Sequence, residues 1–142
     1  MADRFTLRTP SDLGPFAQQL LGRHPRILAL TGPLGAGKTT LTQALAEALG
    51  VQATVTSPTF ALQNVYPAKH PQYDTLVHVD CYRLKDPSVE LPALDLGHWF
   101  QQPKTLVVVE WADRIKNFLE KYEVVWVALS VQPDSSRRVV LS

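Results

Sequence analysis

Apolar and polar positions alternate at the start of the chain, Phe5 and Leu7 against Thr6 and Arg8, which predicts a short edge strand. Thr9-Pro10-Ser11 then offers a cap with proline near a first helical turn, so a helix is expected from about Ser11 to Leu21, stopping near Gly22. Arg26 to Thr31 is a short continuous apolar run between Pro25 and Gly32, the pattern of a strand covered on both faces. Beyond a glycine-rich stretch, Leu41, Ala44, Leu45, Ala48 and Leu49 recur at helical spacing up to Gly50, a residue suited to ending a helix.

Val55 sits in a short β-prone stretch that Ser57-Pro58 breaks, and Phe60 to Tyr66 alternates as a further strand. The polar, proline-flanked segment from Pro67 to Asp74 reads as a loop. Two more continuous apolar runs, Thr75 to Val79 and Thr105 to Val109, read as buried strands that end in carboxylates, Asp80 and Glu110. Between them Pro87, Pro92 and Pro103 restrict helices to short pieces, Val89 to Leu94 and Gly97 to Phe100. Glu123 to Val131 is β-rich, and Arg137 to Leu141 returns beside it as a hairpin across residues 133–136. The sum is an α/β fold: three layers, a mostly parallel central sheet with helices on both faces, and an antiparallel C-terminal edge.

The chain has 142 residues, 45% of them hydrophobic, enough for one core and too few for two, and no linker or repeat divides it; a single domain over residues 1–142 is expected. Fourteen basic against thirteen acidic side chains leave a net charge of +1, without the summed positive field that nucleic-acid binding uses. A direct grip on RNA or DNA is therefore disfavoured as the main activity. The lone Cys81 cannot form an intrachain disulfide, no Cys/His spacing suggests zinc, and a reducing cytoplasm fits. Met1-Ala2-Asp3-Arg4 leads into no apolar signal region and no run approaches the roughly 20 residues that span a bilayer, so neither export nor membrane insertion is expected.

The chemistry concentrates in Gly32-Pro33-Leu34-Gly35-Ala36-Gly37-Lys38-Thr39, which fits G-x-x-x-x-G-K-[ST] at every fixed position and lies between a buried strand and an amphipathic helix. Such a loop curls its backbone around phosphate, and the helix after it adds the positive end of its dipole, so Gly32, Leu34, Gly35, Ala36 and Gly37 are assigned to nucleotide binding. Lys38 would reach the β- and γ-phosphates, and Thr39 would ligate Mg²⁺. A P-loop also needs a carboxylate at the end of a neighbouring strand to hold the metal and a polar group to position the nucleophile. Asp80 and Glu110 qualify by position. Acids also end strands merely because the chain leaves the sheet into solvent there; it is the P-loop that raises this pair. Thr59, in Ser57-Pro58-Thr59-Phe60, is a candidate γ-phosphate sensor, the alternative being an ordinary Ser-Pro turn with Phe60 in the core. His78, inside an apolar strand, reads as a core histidine, and Cys81 as a small buried apolar residue. Trp111 is either core or a cap on the site; Arg83 and Arg114 meet either phosphate or a surface acid.

Together Gly-Pro-Leu-Gly-Ala-Gly-Lys-Thr-Thr (32 to 40), Ser-Pro-Thr-Phe (57 to 60), His-Val-Asp-Cys-Tyr-Arg-Leu (78 to 84) and Glu-Trp (110 to 111) resemble the bacterial threonylcarbamoyladenosine biosynthesis ATPases, the TsaE family. The resemblance covers nearly the whole chain. It implies an ATPase that supports formation of threonylcarbamoyladenosine next to the anticodon of tRNA, with ATP and Mg²⁺ as cofactors. Its implied partners are the threonylcarbamoyl transferase and that enzyme's inactive paralogue, with tRNA held mainly through them. It further implies that Lys38, Thr39 and Thr40 serve nucleotide and metal, that Thr59 lies in a switch-like segment, and that Asp80, Glu110 and Trp111 are needed for activity. The chain departs from the family pattern at Cys81, where leucine is usual, and at Ala112-Asp113, where proline and glutamate are usual.

Guanine specificity is unsupported, since neither N/T-K-x-D nor a later D-x-x-G occurs. A small-molecule kinase would share the P-loop but should carry a lid with several arginines. A regulatory module in which ATP is a conformational ligand overlaps with the family reading, and slow basal hydrolysis is expected where no trans-acting arginine is present.

Overall fold

The computed structural model describes residues 3–56 and 62–142. Seven strands form one sheet in the order β1-β7-β6-β2-β5-β4-β3. At its centre β6 (Val125–Val131), β2 (Ile27–Thr31), β5 (Thr105–Glu110) and β4 (Thr75–Asp80) run parallel. The expected antiparallel C-terminal edge is present: β7 (Arg137–Leu141) pairs with β6, and β1 (Asp3–Leu7) completes that edge by pairing with β7. At the other edge β3 (Gln63–Pro67) lies antiparallel to β4.

The continuous apolar runs read along the chain are strands with helices on both faces. Leu28, Leu30, Leu76, Leu106 and Val108 point to one side and join Phe16 and Leu20 of α1 (Leu13–Leu21) and Leu41 and Leu45 of α2 (Lys38–Ala48). The alternate positions, Ile27, Ala29, Val77, Val79, Val107 and Val109, point to the other side and pack on Leu94 of α3 (Pro87–Leu94), Leu96 and Phe100 of α4 (Leu96–Gln101) and Leu119 of α5 (Lys116–Leu119). The period of two along each strand thus sorts residues between two cores.

Local chemistry sets several boundaries. The helix expected from Ser11 begins as a 3-10 turn, Pro10–Asp12, whose Asp12 carboxylate accepts from the Thr9 amide, before α1 proper. Pro87 opens α3 instead of breaking it, because a first-turn proline lacks only an N–H that has no helical partner; the Asp86 carboxylate caps this turn by accepting from the Ser88 amide. Val55 belongs to no strand, but it is buried and its carbonyl accepts from Gln43 Nε2 at 3.0 Å. The loop after β3 is tied down by Tyr73, whose hydroxyl donates to the Pro25 carbonyl at 2.6 Å.

Leu45, fully buried on α2, should cost about 2–5 kcal/mol when replaced by Ala, whereas Val65→Ala on the exposed face of β3 should stay within about 0.5 kcal/mol. Urea unfolding midpoints of the two variants check the contrast.

Candidate functional site

The parallel strands β2, β5 and β4 end side by side, and the chain leaves β2 through the glycine loop into α2. This is where open parallel sheets place ligands, at the carboxyl ends of their strands. The loop crosses the end of β6 so closely that a Cβ on Gly32 would lie 2.4 Å from the Leu129 carbonyl oxygen. Gly37, immediately before α2, has φ 107°, a conformation that a side chain would strain.

Lys38 opens α2 and is folded back beneath its own loop, 5% exposed, with Nζ donating to the carbonyls of Gly32 at 2.6 Å and Pro33 at 2.9 Å. The ammonium also lies 3.9 Å from the centre of the Trp111 ring. Burial lowers the pKa of this amine, opposed by the nearby carboxylates of Glu110, Asp113 and Asp80.

Across from the lysine, Glu110 is buried at the end of β5 and both its oxygens are engaged. Thr39 Oγ1 donates to Oε1 at 2.8 Å, and His78 Nε2 lies 2.5 Å from Oε2. Asp80 stands beside Glu110 in the β4–β5 register, half-buried, with Oδ1 accepting from the Tyr82 amide at 2.9 Å. Burial pushes the Asp80 carboxyl above its ordinary range; the Tyr82 amide opposes this and the Glu110 charge adds to it.

Trp111, the next residue after Glu110, adopts left-handed backbone angles (φ 56°, ψ 41°), unusual for a bulky side chain. Its ring lies between Lys38 and Tyr82, whose ring centre is 4.9 Å away. The two readings of this tryptophan meet in the structure: the side chain borders the cleft and also packs against the second core.

These groups border a cleft of about 360 Å³. Leu34, Gly35, Gly37, Lys38, Thr39 and Thr40 form one wall; Asp80, Glu110 and Trp111 form the other. Gly32 and Ala36 are not among its lining residues: Gly32 lies against the Leu129 carbonyl, and Ala36 is buried with its amide donating to the Pro33 carbonyl. Thr59 lies outside the described residues. A second hollow of about 250 Å³, walled by Leu7, Pro10 and Leu13 against Leu129, shares Gly37, Thr40 and Arg137 with the cleft.

Three residues were not selected from sequence. His78 is a buried core histidine as expected, yet it also holds Glu110; the signal is its spacing of two from Asp80, which puts both on one face of β4. Tyr82 backs Trp111, and Arg137 borders the cleft because β7 returns beside β6; the hairpin is legible in the sequence, its approach to the cleft is not. Of the two arginines left open, Arg83 borders the cleft, while Arg114 donates to the Leu84 carbonyl. Cys81 is buried, with its thiol pushed up to about 12 by burial, as a small apolar residue and not a nucleophile would be.

The arrangement suits a polyphosphate with a hard cation. A buried ammonium and a helix N-terminus face two carboxylates and a threonine hydroxyl. Among the described residues no group of three or more His, Cys, Asp and Glu lies so as to hold a metal ion by itself.

A sequence model of the family described as "Threonylcarbamoyl adenosine biosynthesis protein TsaE" matches residues 7–139. The chain belongs to the TsaE family. The tRNA threonylcarbamoyladenosine biosynthesis protein TsaE of Streptomyces coelicolor is 44% identical over 102 residues, 72% of this chain and 66% of that protein. Its namesake in Mycobacterium tuberculosis H37Rv is 39% identical over 67% of this chain and 58% of its own length. That of Treponema pallidum is 38% identical over 82% of this chain and 81% of its own. The match thus spans less than two thirds of the first two of these TsaE proteins and most of the third. The crystal structure of Bacillus subtilus YdiB has the same fold, with a TM-score of 0.72 over 99% of this chain and 84% of that one at 24% identity.

Because its folded-state pKa is raised, Asp80 contributes stability that is fully present below its unfolded value and lost as pH rises through the folded one. Asp80→Asn, which keeps an acceptor for the Tyr82 amide, should therefore raise Tm at neutral pH in the absence of nucleotide and magnesium. The gain should shrink as pH falls towards about 4. Thermal melts across pH 4 to 8 would check it.

Proposed function

We propose that this TsaE-family chain binds and hydrolyses MgATP and, through its nucleotide state, sustains formation of threonylcarbamoyladenosine in tRNA by the transferase and its inactive paralogue. The observation that carries the reading is the Thr39–Glu110 hydrogen bond, which joins the P-loop helix to the acid at the end of the adjacent strand. Family membership and the names of the relatives supply the pathway.

In this reading the loop from Gly32 to Gly37 and the first turn of α2 take the phosphates, with Lys38 turning from its own loop carbonyls to phosphate oxygens. Thr39, Glu110 and Asp80 hold Mg²⁺, directly or through water, and the ion when bound neutralises charge on the phosphates. Glu110 positions the attacking water. Thr40 borders both hollows, and the second has room and apolar walls for the nucleoside end. Trp111 caps the lysine, and Tyr82 beside it is exposed, so a change at Lys38 can reach the surface through two rings in tilted contact.

The near-neutral charge supports an indirect relation to tRNA through the partners, and a tRNA-modifying role fits the cytoplasm. No helix among the described residues is long and apolar enough to cross a membrane.

The test is tRNA threonylcarbamoylation reconstituted with the transferase and its paralogue, followed over many turnovers. The parent chain should sustain modification, and Glu110→Gln should keep MgATP binding while hydrolysing about 10²-fold more slowly and stalling the cycle. Sustained modification without this chain would contradict the assignment.

A further inference from the structure

The ligand reading above leaves His78 unused. Its side chain is fully buried on β4, in the register position opposite Val108 of β5 and two residues before Asp80. Glu110 lies two residues beyond Val108, a diagonal that a long side chain can span on one face of a sheet. Nε2 makes that reach, meeting Glu110 Oε2 at 2.5 Å. The carboxylate form of Glu110 can only accept, so the ring carries its proton on Nε2 and donates. Nδ1 is buried without a hydrogen-bond partner among the described residues, so Nε2 is the ring nitrogen through which His78 acts.

The two oxygens of Glu110 are held differently. Oε1 accepts from Thr39, the hydroxyl that the motif reserves for the metal. The alternative donor near Oε2 is Thr42 Oγ1, but it lies 3.5 Å away and its single proton goes to the Lys38 carbonyl at 2.9 Å. Among the described residues His78 is therefore the donor that fixes Oε2, and it acts from β4 and not from the P-loop or its helix. When Thr39 turns to a cation, the His78 contact still sets the direction of the carboxylate.

We propose that His78 is a positioning residue for Glu110: it holds the carboxylate in one orientation across the β4–β5 pair so that the acid meets water and metal in a fixed direction. This rests on the reading of Glu110 as the acid that serves hydrolysis. His78 itself touches neither nucleotide nor metal, and its loss should act on turnover more than on binding.

The experiment compares parent, His78→Leu, His78→Gln and His78→Asn in the full chain with the transferase complex, measuring MgATP affinity, kcat and KM for ATP, and the Mg²⁺ concentration for half-maximal rate. Glutamine can place an amide N–H where Nε2 stands; leucine offers no donor and asparagine falls short. His78→Leu and His78→Asn should lower kcat about 10- to 100-fold and raise the Mg²⁺ requirement while KM changes less than about 3-fold, and His78→Gln should recover most of the loss. Should the leucine variant fail to fold, the glutamine and asparagine pair decides, because both are polar and the two differ in reach. Equal kcat in His78→Asn and parent, or glutamine no better than asparagine, would overturn the proposal while leaving the ATPase reading intact. A parent chain that binds no MgATP would overturn both.

Discussion

A carboxylate buried at the end of a central strand is the constraint around which the rest of this molecule is arranged. Removing a charge from water is expensive unless hydrogen bonds and an opposite charge compensate it. Glu110 has both: Thr39 and His78 bond its two oxygens, and the Lys38 ammonium is its electrostatic counterpart. Lys38 and Thr39 stand together in the first turn of α2 and His78 comes from β4, so the acid ties the helix that follows the glycine loop to the neighbouring strand. Lys38 is itself buried, its ammonium held by its own loop carbonyls and by the Trp111 ring.

Sheet geometry makes this economical. On β4 and β5 the residues that face α2 are Leu76 and His78 before Asp80, and Leu106 and Val108 before Glu110. Apart from His78 this face is apolar, and its carboxylates stand only at the strand ends, beside the start of α2. The opposite face stays apolar to Val79 and Val109 and carries the short helices α3, α4 and α5. Chemistry and packing share the same strands with little conflict because they occupy different positions along the same face.

Much of this was legible in the sequence because its signals are local. The continuous runs ending in Asp80 and Glu110, the glycine loop and the amphipathic helix after it each carry their own pattern, and the structure brings all but Thr59, outside the described residues, to one end of the sheet. What was hidden depends on tertiary neighbours. His78 was read correctly as buried, but its partner sits on another strand along a diagonal that no single-chain pattern displays. Arg137 reaches the cleft through the return of β7, and Pro87, read as a restriction, is the start of α3 because Asp86 precedes it as a cap. The stretch from Ala112 to Leu119 carries no periodic signal of its own, because a 3-10 turn and a single helical turn are too short to show a period.

Calorimetric titration of MgATP into the parent chain and into Lys38→Ala tests most directly whether the cleft that Lys38 and Glu110 border is a nucleotide site. The account requires one site on the parent and a loss of about 10-fold or more in affinity in the variant, since a charge-assisted contact to phosphate is removed. Equal affinity in the two proteins would contradict it.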